Sequence, residues 1–453
     1  MKSRQLKNVP PGLEVLQACN GGRKFSYNWH KGSVLILTFL CYMGYHAARK
    51  PPSIVKSVLR GSTTAAQKGR LLLSDGGLAI TASDPTTLNG WAPFNGDNGQ
   101  TLLGQIDLAF LGTYAIGMFF AGHLGDRVDL RWFLTAGMVF SGIFTSLFGM
   151  GYFWDMHSFS YYVMGWGYSF VVPGFLMIGL GVLIYAGLVV SPSDVGHSNP
   201  DDKPSGGSSR HDDEEVLPLK EGGKEAAGKE KEVESIHFMD AWRIPGVASF
   251  AFCLFFSKLI AYTFLYWLPY YIKSTPIEGR KLSAKEAGDL SVLFDVGGVA
   301  GGVLAGHLSD KSGASATVAT SFTLLSVPCL YLYRTAGHTS FALNVALMMA
   351  SGFFVNGPYA LITTAVSADL GTHDSLQGNA KALATVSAII DGMGSIGAAL
   401  GPMLTGFISD RGGFDMVFVM LYTSAVTAGL LLVKLVIKEL AVMRGKPVVA
   451  KPM

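Results

Sequence analysis

The chain has 453 residues and a net charge of +3; 49% of its residues are apolar and only 15% are charged. A soluble chain of this size carries about a quarter charged residues, so the composition excludes an ordinary soluble domain. So small a charge, with no basic stripe, also excludes a nucleic-acid surface. Four cysteines are too few for a disulfide scaffold, and Cys41, Cys253 and Cys329 lie in apolar runs and read as small core residues.

The charges cluster, leaving runs of ~20 nearly uncharged residues, the length that crosses a bilayer as a helix. Residues 1–31 form a polar tail without the apolar core of a signal peptide, so the first membrane segment serves as a signal-anchor. Apolar runs then predict membrane helices over 32–59, 105–123, 132–153 and 166–190, with a long loop over 60–104. Residues 191–246 alternate Pro, Gly, Lys and Glu and predict a disordered linker. Six further helices are predicted over 247–272, 286–308, 314–333, 340–367, 382–408 and 414–437, before a tail over 439–453. The expected fold class is therefore an all-α membrane protein with about ten transmembrane helices. Four fall in an N-terminal half (32–190) and six in a C-terminal half (247–438). Glycine is abundant, at 56 residues, as expected where helices pack backbone to backbone in lipid. Arg23, Lys24, Lys31, Arg127, Arg131, Lys438, Arg444 and Lys446 place both tails and the linker on the cytoplasmic side, with 60–104 outside. The chain reads as a multi-pass integral membrane protein, compatible with the plasma membrane or an internal one.

One phrase occurs twice. Ala121-Gly122-His123-Leu124-Gly125-Asp126-Arg127 closes one apolar segment, and Ala305-Gly306-His307-Leu308-Ser309-Asp310-Lys311 closes another, 184 positions further on. The same offset aligns Phe110 with Phe294 and Gly117 with Gly301. Such duplication within an apolar chain points to a transporter built from two related halves.

The glycine-aspartate-basic phrase after the second helix of each half resembles the signature loop of the major facilitator superfamily. Tyr45-His46-Ala47-Ala48-Arg49-Lys50-Pro51, Leu265-Tyr266-Trp267-Leu268-Pro269 and the run from Lys381 to Gly397 resemble its organophosphate–phosphate antiporter branch. Within that branch the similarity is to eukaryotic sugar-phosphate exchangers and plant glycerol-3-phosphate transporters. The resemblance implies the major facilitator fold, with two pseudo-symmetric halves of six helices each. This chain departs from it: the likeness runs to the end of helix three near Val163 and resumes at Gly165–Phe170 with helix six. Helices four and five of the family scheme have no counterpart, an even number that leaves the downstream orientation unchanged.

A phosphate ester held near the bilayer midplane needs cationic donors that are costly there, by ~3 kcal/mol or more each. Arg49 offers a guanidinium fork that matches phosphate, and the resemblance places it at the family's substrate-binding arginine. The competing reading, a side chain snorkelling to the outer surface, suits Lys50 better. Tyr42 and His46 share a helix face, with Arg49 three residues beyond His46. These two and Tyr45 either donate to a phosphate or hydroxyl, or pack. Bacterial members of the branch have an arginine six residues before the helix-seven tryptophan; here that position is Ala261, and Lys258 lies three residues further back on nearly the same face. Lys258 is the expected partner of Arg49 across the twofold axis. Asp391 either neutralises the empty site or pairs locally, and Asp295 is expected to be structural. Gly122, Asp126, Arg127, Gly306, Asp310 and Lys311 are assigned to conformational latching.

The expected activity is exchange of an organic phosphate for inorganic phosphate by alternating access, in a lipid bilayer, with no cofactor or metal. The alternative is a short isoform that keeps the fold and does not transport. An enzyme is not expected: His30, His123, His157, His307 and His373 are scattered without metal-ligand spacing, and no nucleophile elbow is present.

Overall fold

The computed structural model describes residues 9–61, 90–125, 128–153, 168–197, 238–367, 370 and 380–444. Within them the chain is helical apart from turns and one isolated bridge between Ile277 and Arg280. The polar N-terminal tail holds a short helix, α1 (Pro11–Cys19), started by proline at its first position, where the lost N–H has no helical partner. Predicted as a single helix over 32–59, the first membrane segment is two: α2 (Tyr27–Arg49) and α3 (Pro51–Arg60). Pro51 and Pro52 remove two N–H donors, so the helical ladder breaks at Lys50.

Next come α4 (Gly99–Gly125), α5 (Leu130–Phe153) and α6 (Tyr168–Gly187). Of the expected linker, the described parts are a capped 3-10 turn at Pro192–Val195 and α7 (Phe238–Arg243); 198–237 lies outside the described residues. The C-terminal half comprises α8 (Val247–Ser274), α9 (Ala284–Ser312), α10 (Ser315–Ala336), α11 (Phe341–Leu361, running into a π turn at Ile362–Val366) and α12 (Ala380–Met443). The last is two arms, because Gly413 takes the left-handed φ of 65° that glycine alone adopts freely. Its arms match the segments predicted over 382–408 and 414–437. Eight described helices are long and apolar enough to cross a membrane, with both arms of α12 counted in one and α2 outside the set.

α8 is the axis of the molecule. It packs against both arms of α12, and also touches α3, α9 and α11. The first arm of α12 closes on it through glycine: a Cβ on Gly397 would run into the Phe255 carbonyl oxygen, and one on Gly401 into that of Leu259. In the N-terminal half α5 and α6 press together through Gly142 and Gly174, where a Cβ on Gly142 would stand 2.6 Å from the Gly174 carbonyl oxygen. The two halves meet near the end of the bundle that carries the 60–104 loop. There Lys273 Nζ donates to the Ser57 carbonyl at 2.8 Å, Ile54 covers Gly288, and Asp410 accepts from the Thr101 backbone N–H at 2.6 Å.

The sequence repeat is visible in the packing. Gly104 and Gly288 are related by the 184-residue offset, and each lies against the opposite half: Gly104 on Met403 of α12, Gly288 on Ile54 of α3. The same offset makes α9 the counterpart of α4, and α10 that of α5. In the C-terminal half α11 packs along both α9 and α10 and touches α8. No described helix stands in the corresponding place between α4 and α5.

Candidate functional site

The break at Pro51 turns a face of charged and aromatic side chains from α2 and α3 toward α8, and each cation on it has a distinct environment. Lys50 Nζ pairs with Asp295 of α9 at 3.1 Å across the two halves. Lys56 is buried in an ion pair with Asp107 of α4. It also donates to the Tyr266 carbonyl at 3.1 Å and lies 4.6 Å above the Trp267 ring. Lys258 of α8 pairs with Asp391 of α12 and stands 5.4 Å over the Tyr359 ring.

Arg49 differs. Its guanidinium lies 5.0 Å over the Tyr114 ring and donates to the Tyr262 hydroxyl at 3.4 Å. Among the described residues it forms no ion pair with a carboxylate. Tyr262 meets Tyr359 edge-on with ring centres 6.5 Å apart, and Tyr359 carries Lys258 on its face. Arg49 and Lys258, expected to face one another, are thus joined through two tyrosines, and Asp391 is the counter-ion of Lys258.

Tyr42 and His46 stand together on α2 with rings 4.3 Å apart and largely exposed, one turn before Arg49. Tyr45 turns away toward α5, where its hydroxyl would touch a Cβ on Gly137 at 3.1 Å and its ring joins the Cys41–Met138 cluster. Gly306, Asp310 and Lys311 lie at the end of α9, the last two exposed. Gly122 is in the closing turns of α4, and Asp126 and Arg127 lie outside the described residues.

Five residues of this constellation were not singled out from sequence: Lys56, Asp107, Tyr114, Tyr262 and Tyr359. Two carried a readable signal. Lys56 is seven residues after Arg49, two helical turns on along the same side. Asp107 is an acid within an apolar run, and the repeat offset sets it against Ser291. The tyrosines carried none, because aromatic residues in membrane helices are ordinary packing.

Beside Arg49 opens a cavity of about 660 Å³. Arg49, Tyr114 and Gly137 line one end; Leu59, Leu103 and Phe148 line the other. Lys56, Asp107 and Tyr266 reach it from the side of α8. The Tyr266 hydroxyl is buried without a hydrogen-bond partner among the described residues.

The family model described as the Major Facilitator Superfamily matches residues 250–448. A curated Arabidopsis thaliana protein named "Putative glycerol-3-phosphate transporter 1" is 46% identical to the chain, covering 96% of it and 93% of the relative. The Xenopus tropicalis protein named glucose-6-phosphate exchanger SLC37A2 is 41% identical, covering 97% of this chain and 98% of that one. These alignments extend over 494 and 507 positions, more than the 453 residues of the whole chain, so both relatives contain stretches that have no counterpart here. The duplicated helical halves, the glycine-mediated contacts between them and these relatives agree: the chain is a multi-pass membrane transporter belonging to the Major Facilitator Superfamily.

Proposed function

We propose that the chain exchanges an organic phosphate ester for inorganic phosphate by alternating access, with Arg49 as the primary phosphate ligand. The observation that carries this reading is the uneven pairing of the cations. Lys50, Lys56 and Lys258 each hold a carboxylate, whereas Arg49 is held only by phenol groups and a ring face among the described residues. An unneutralised guanidinium within a membrane is costly, and a phosphate oxygen pair satisfies its fork with two charge-assisted hydrogen bonds. The names of the relatives, transporters of glycerol 3-phosphate and exchangers of glucose 6-phosphate, support the same substrate class.

Asp391 gives the exchange its logic. When phosphate enters, Lys258 leaves Asp391 and turns to the anion past Tyr359. When phosphate departs, Lys258 returns to Asp391, and Arg49 has no carboxylate among the described residues to fall back on. The empty site thus retains one uncompensated charge in a medium of low dielectric, which raises the barrier to switching without substrate. Exchange is therefore favoured over net flux.

The test is uptake of radiolabelled phosphate into proteoliposomes preloaded with phosphate. Wild-type protein is expected to exchange, and Arg49→Ala and Arg49→Lys to lose exchange, since an ammonium does not reproduce the fork. Near-normal exchange by Arg49→Lys overturns the assignment of Arg49. No uptake by folded wild-type protein overturns the exchange itself.

A further inference from the structure

The cavity between α4 and α5 has a history in the repeat. Gly301 of α9 lies so close to α11 that a Cβ there would run into the Phe353 carbonyl oxygen, and the related Gly117 of α4 has nothing within 4 Å among the described residues. Phe294, 2% exposed, packs in the core; its counterpart Phe110 is 48% exposed and lines the cavity. The surfaces of α4 and α5 are thus shaped for close packing, and a slot runs between them. Its lining is largely apolar and includes Phe110 of α4 and Phe140, Phe144 and Phe148 of α5. Its inner end is polar. Among the described residues Arg49 stands there without a carboxylate partner, and the Tyr266 hydroxyl, beside the slot, is without a hydrogen-bond partner.

We infer that this slot binds a phosphate ester whose organic group is a single acyl chain, an amphiphile of the monoacyl-glycerol phosphate type. The phosphate sits on Arg49 and accepts from the Tyr266 hydroxyl, and the chain extends along the phenylalanines toward Leu59. Arg49 ends α2 and Leu59 lies near the end of α3, ten residues on, about 15 Å were the two helices collinear, and about 660 Å³ falls within the range of small-molecule sites. A bare sugar suits this wall poorly: Thr113, Ser141 and Thr145 are the aliphatic hydroxyls along it, so most sugar hydroxyls would be left unpaired. An acyl chain matches the wall, and charge complementarity fixes its direction. The inference rests on the reading of Arg49 as the phosphate ligand.

Binding is measured on the full chain in phosphatidylcholine nanodiscs, with empty discs subtracted for partitioning. The probes are glycerol 3-phosphate, lauroyl-glycerol 3-phosphate and monolauroyl glycerol. Wild-type protein is expected to bind the lauroyl phosphate at least tenfold more tightly than glycerol 3-phosphate. Ser141→Phe and, independently, Thr145→Leu fill the slot from α5 and are expected to erase that difference while glycerol 3-phosphate affinity stays within twofold. Arg49→Gln is expected to lose both phosphates. Equal affinity for the two phosphates in wild-type protein overturns the proposal, as does undiminished preference in both filled variants. Monolauroyl glycerol binding as tightly as the lauroyl phosphate assigns the slot to bulk lipid and overturns it. A wild-type dimer that Ser141→Phe converts to monomer assigns the slot to a helix of a second copy and likewise overturns it. Tenfold preference without any phosphate exchange in proteoliposomes removes the antiport reading and leaves this one standing.

Discussion

At the residue scale the informative contrast is between Lys50, Lys56 and Lys258, whose counter-ions are built in, and Arg49, which has no carboxylate partner among the described residues. Lys56 and Asp107 are both buried, so each is tolerated in the bundle because of the other. Removing one partner strands a charge, at a cost of about 3–5 kcal/mol, whereas replacing both by apolar groups costs far less. Asp107→Leu is accordingly expected to lower the unfolding midpoint sharply, and Lys56→Met with Asp107→Leu to recover most of it. Denaturant titration of the three proteins in micelles reads this; equal losses in the single and double variants would refute the pairing. Arg49 was legible from sequence because an arginine deep in an apolar run demands a reason. Asp391 was open between neutralising the empty site and pairing locally, and its pair with Lys258 is compatible with both. Sequence separation hides such pairs: 133 residues divide Lys258 from Asp391, and no local pattern links them.

At the element scale, hydrophobic runs located the membrane helices, but their ends depend on contacts that only the fold supplies. α4 starts at Gly99, six residues before its predicted start, because the Asp410 carboxylate of α12 caps the Gln100 and Thr101 N–H groups. Glu439 does the same for α10, accepting from Ala316 and Thr317 at 2.8 Å each. A helix N-terminus favours a carboxylate wherever it comes from, and an acceptor over 100 residues away leaves no mark on the local sequence. The break at Pro51, by contrast, was written in the sequence and only its consequence was missed. The paired glycines offer a direct test of how far the two halves have diverged. Gly301→Ala forces α9 from α11 and is expected to cost about 1–3 kcal/mol. Gly117→Ala meets nothing within 4 Å among the described residues and gains about 0.5–1 kcal/mol of helix propensity. Thermal unfolding of the two variants should therefore shift in opposite directions; equal destabilisation would mean that the α4 face is packed after all.

At the scale of the whole molecule, the described contacts between halves are concentrated on one side of the site. From Arg49 to the loop end they include Arg49–Tyr262, Lys56–Tyr266, Ser57–Lys273 and Thr101–Asp410. Toward the other end, α4 and α12 still touch where Ser395 meets Met118 at 3.2 Å, and no direct hydrogen bond between the halves lies beyond it among the described residues. Contacts placed so are what a carrier closed at its loop end would show. Alternating access then requires the loop-end contacts to break, and Thr101–Asp410 is the outermost of them. Cysteines placed at 101 and 410, in a chain with Cys19, Cys41, Cys253 and Cys329 replaced, test this with a short reducible thiol cross-linker. Cross-linking is expected to proceed to near completion without substrate, to abolish phosphate exchange, and to be reversed by reductant. Exchange that survives a completed cross-link would mean that the halves do not part there. Cross-linking that needs substrate would place the resting carrier in the opposite state. The asymmetry between the halves sharpens the expectation, since α9 and α10 are braced by α11 while α4 and α5 flank an open slot. The N-terminal half is thus the softer of the two, and the loop-end contacts hold it against the firmer one.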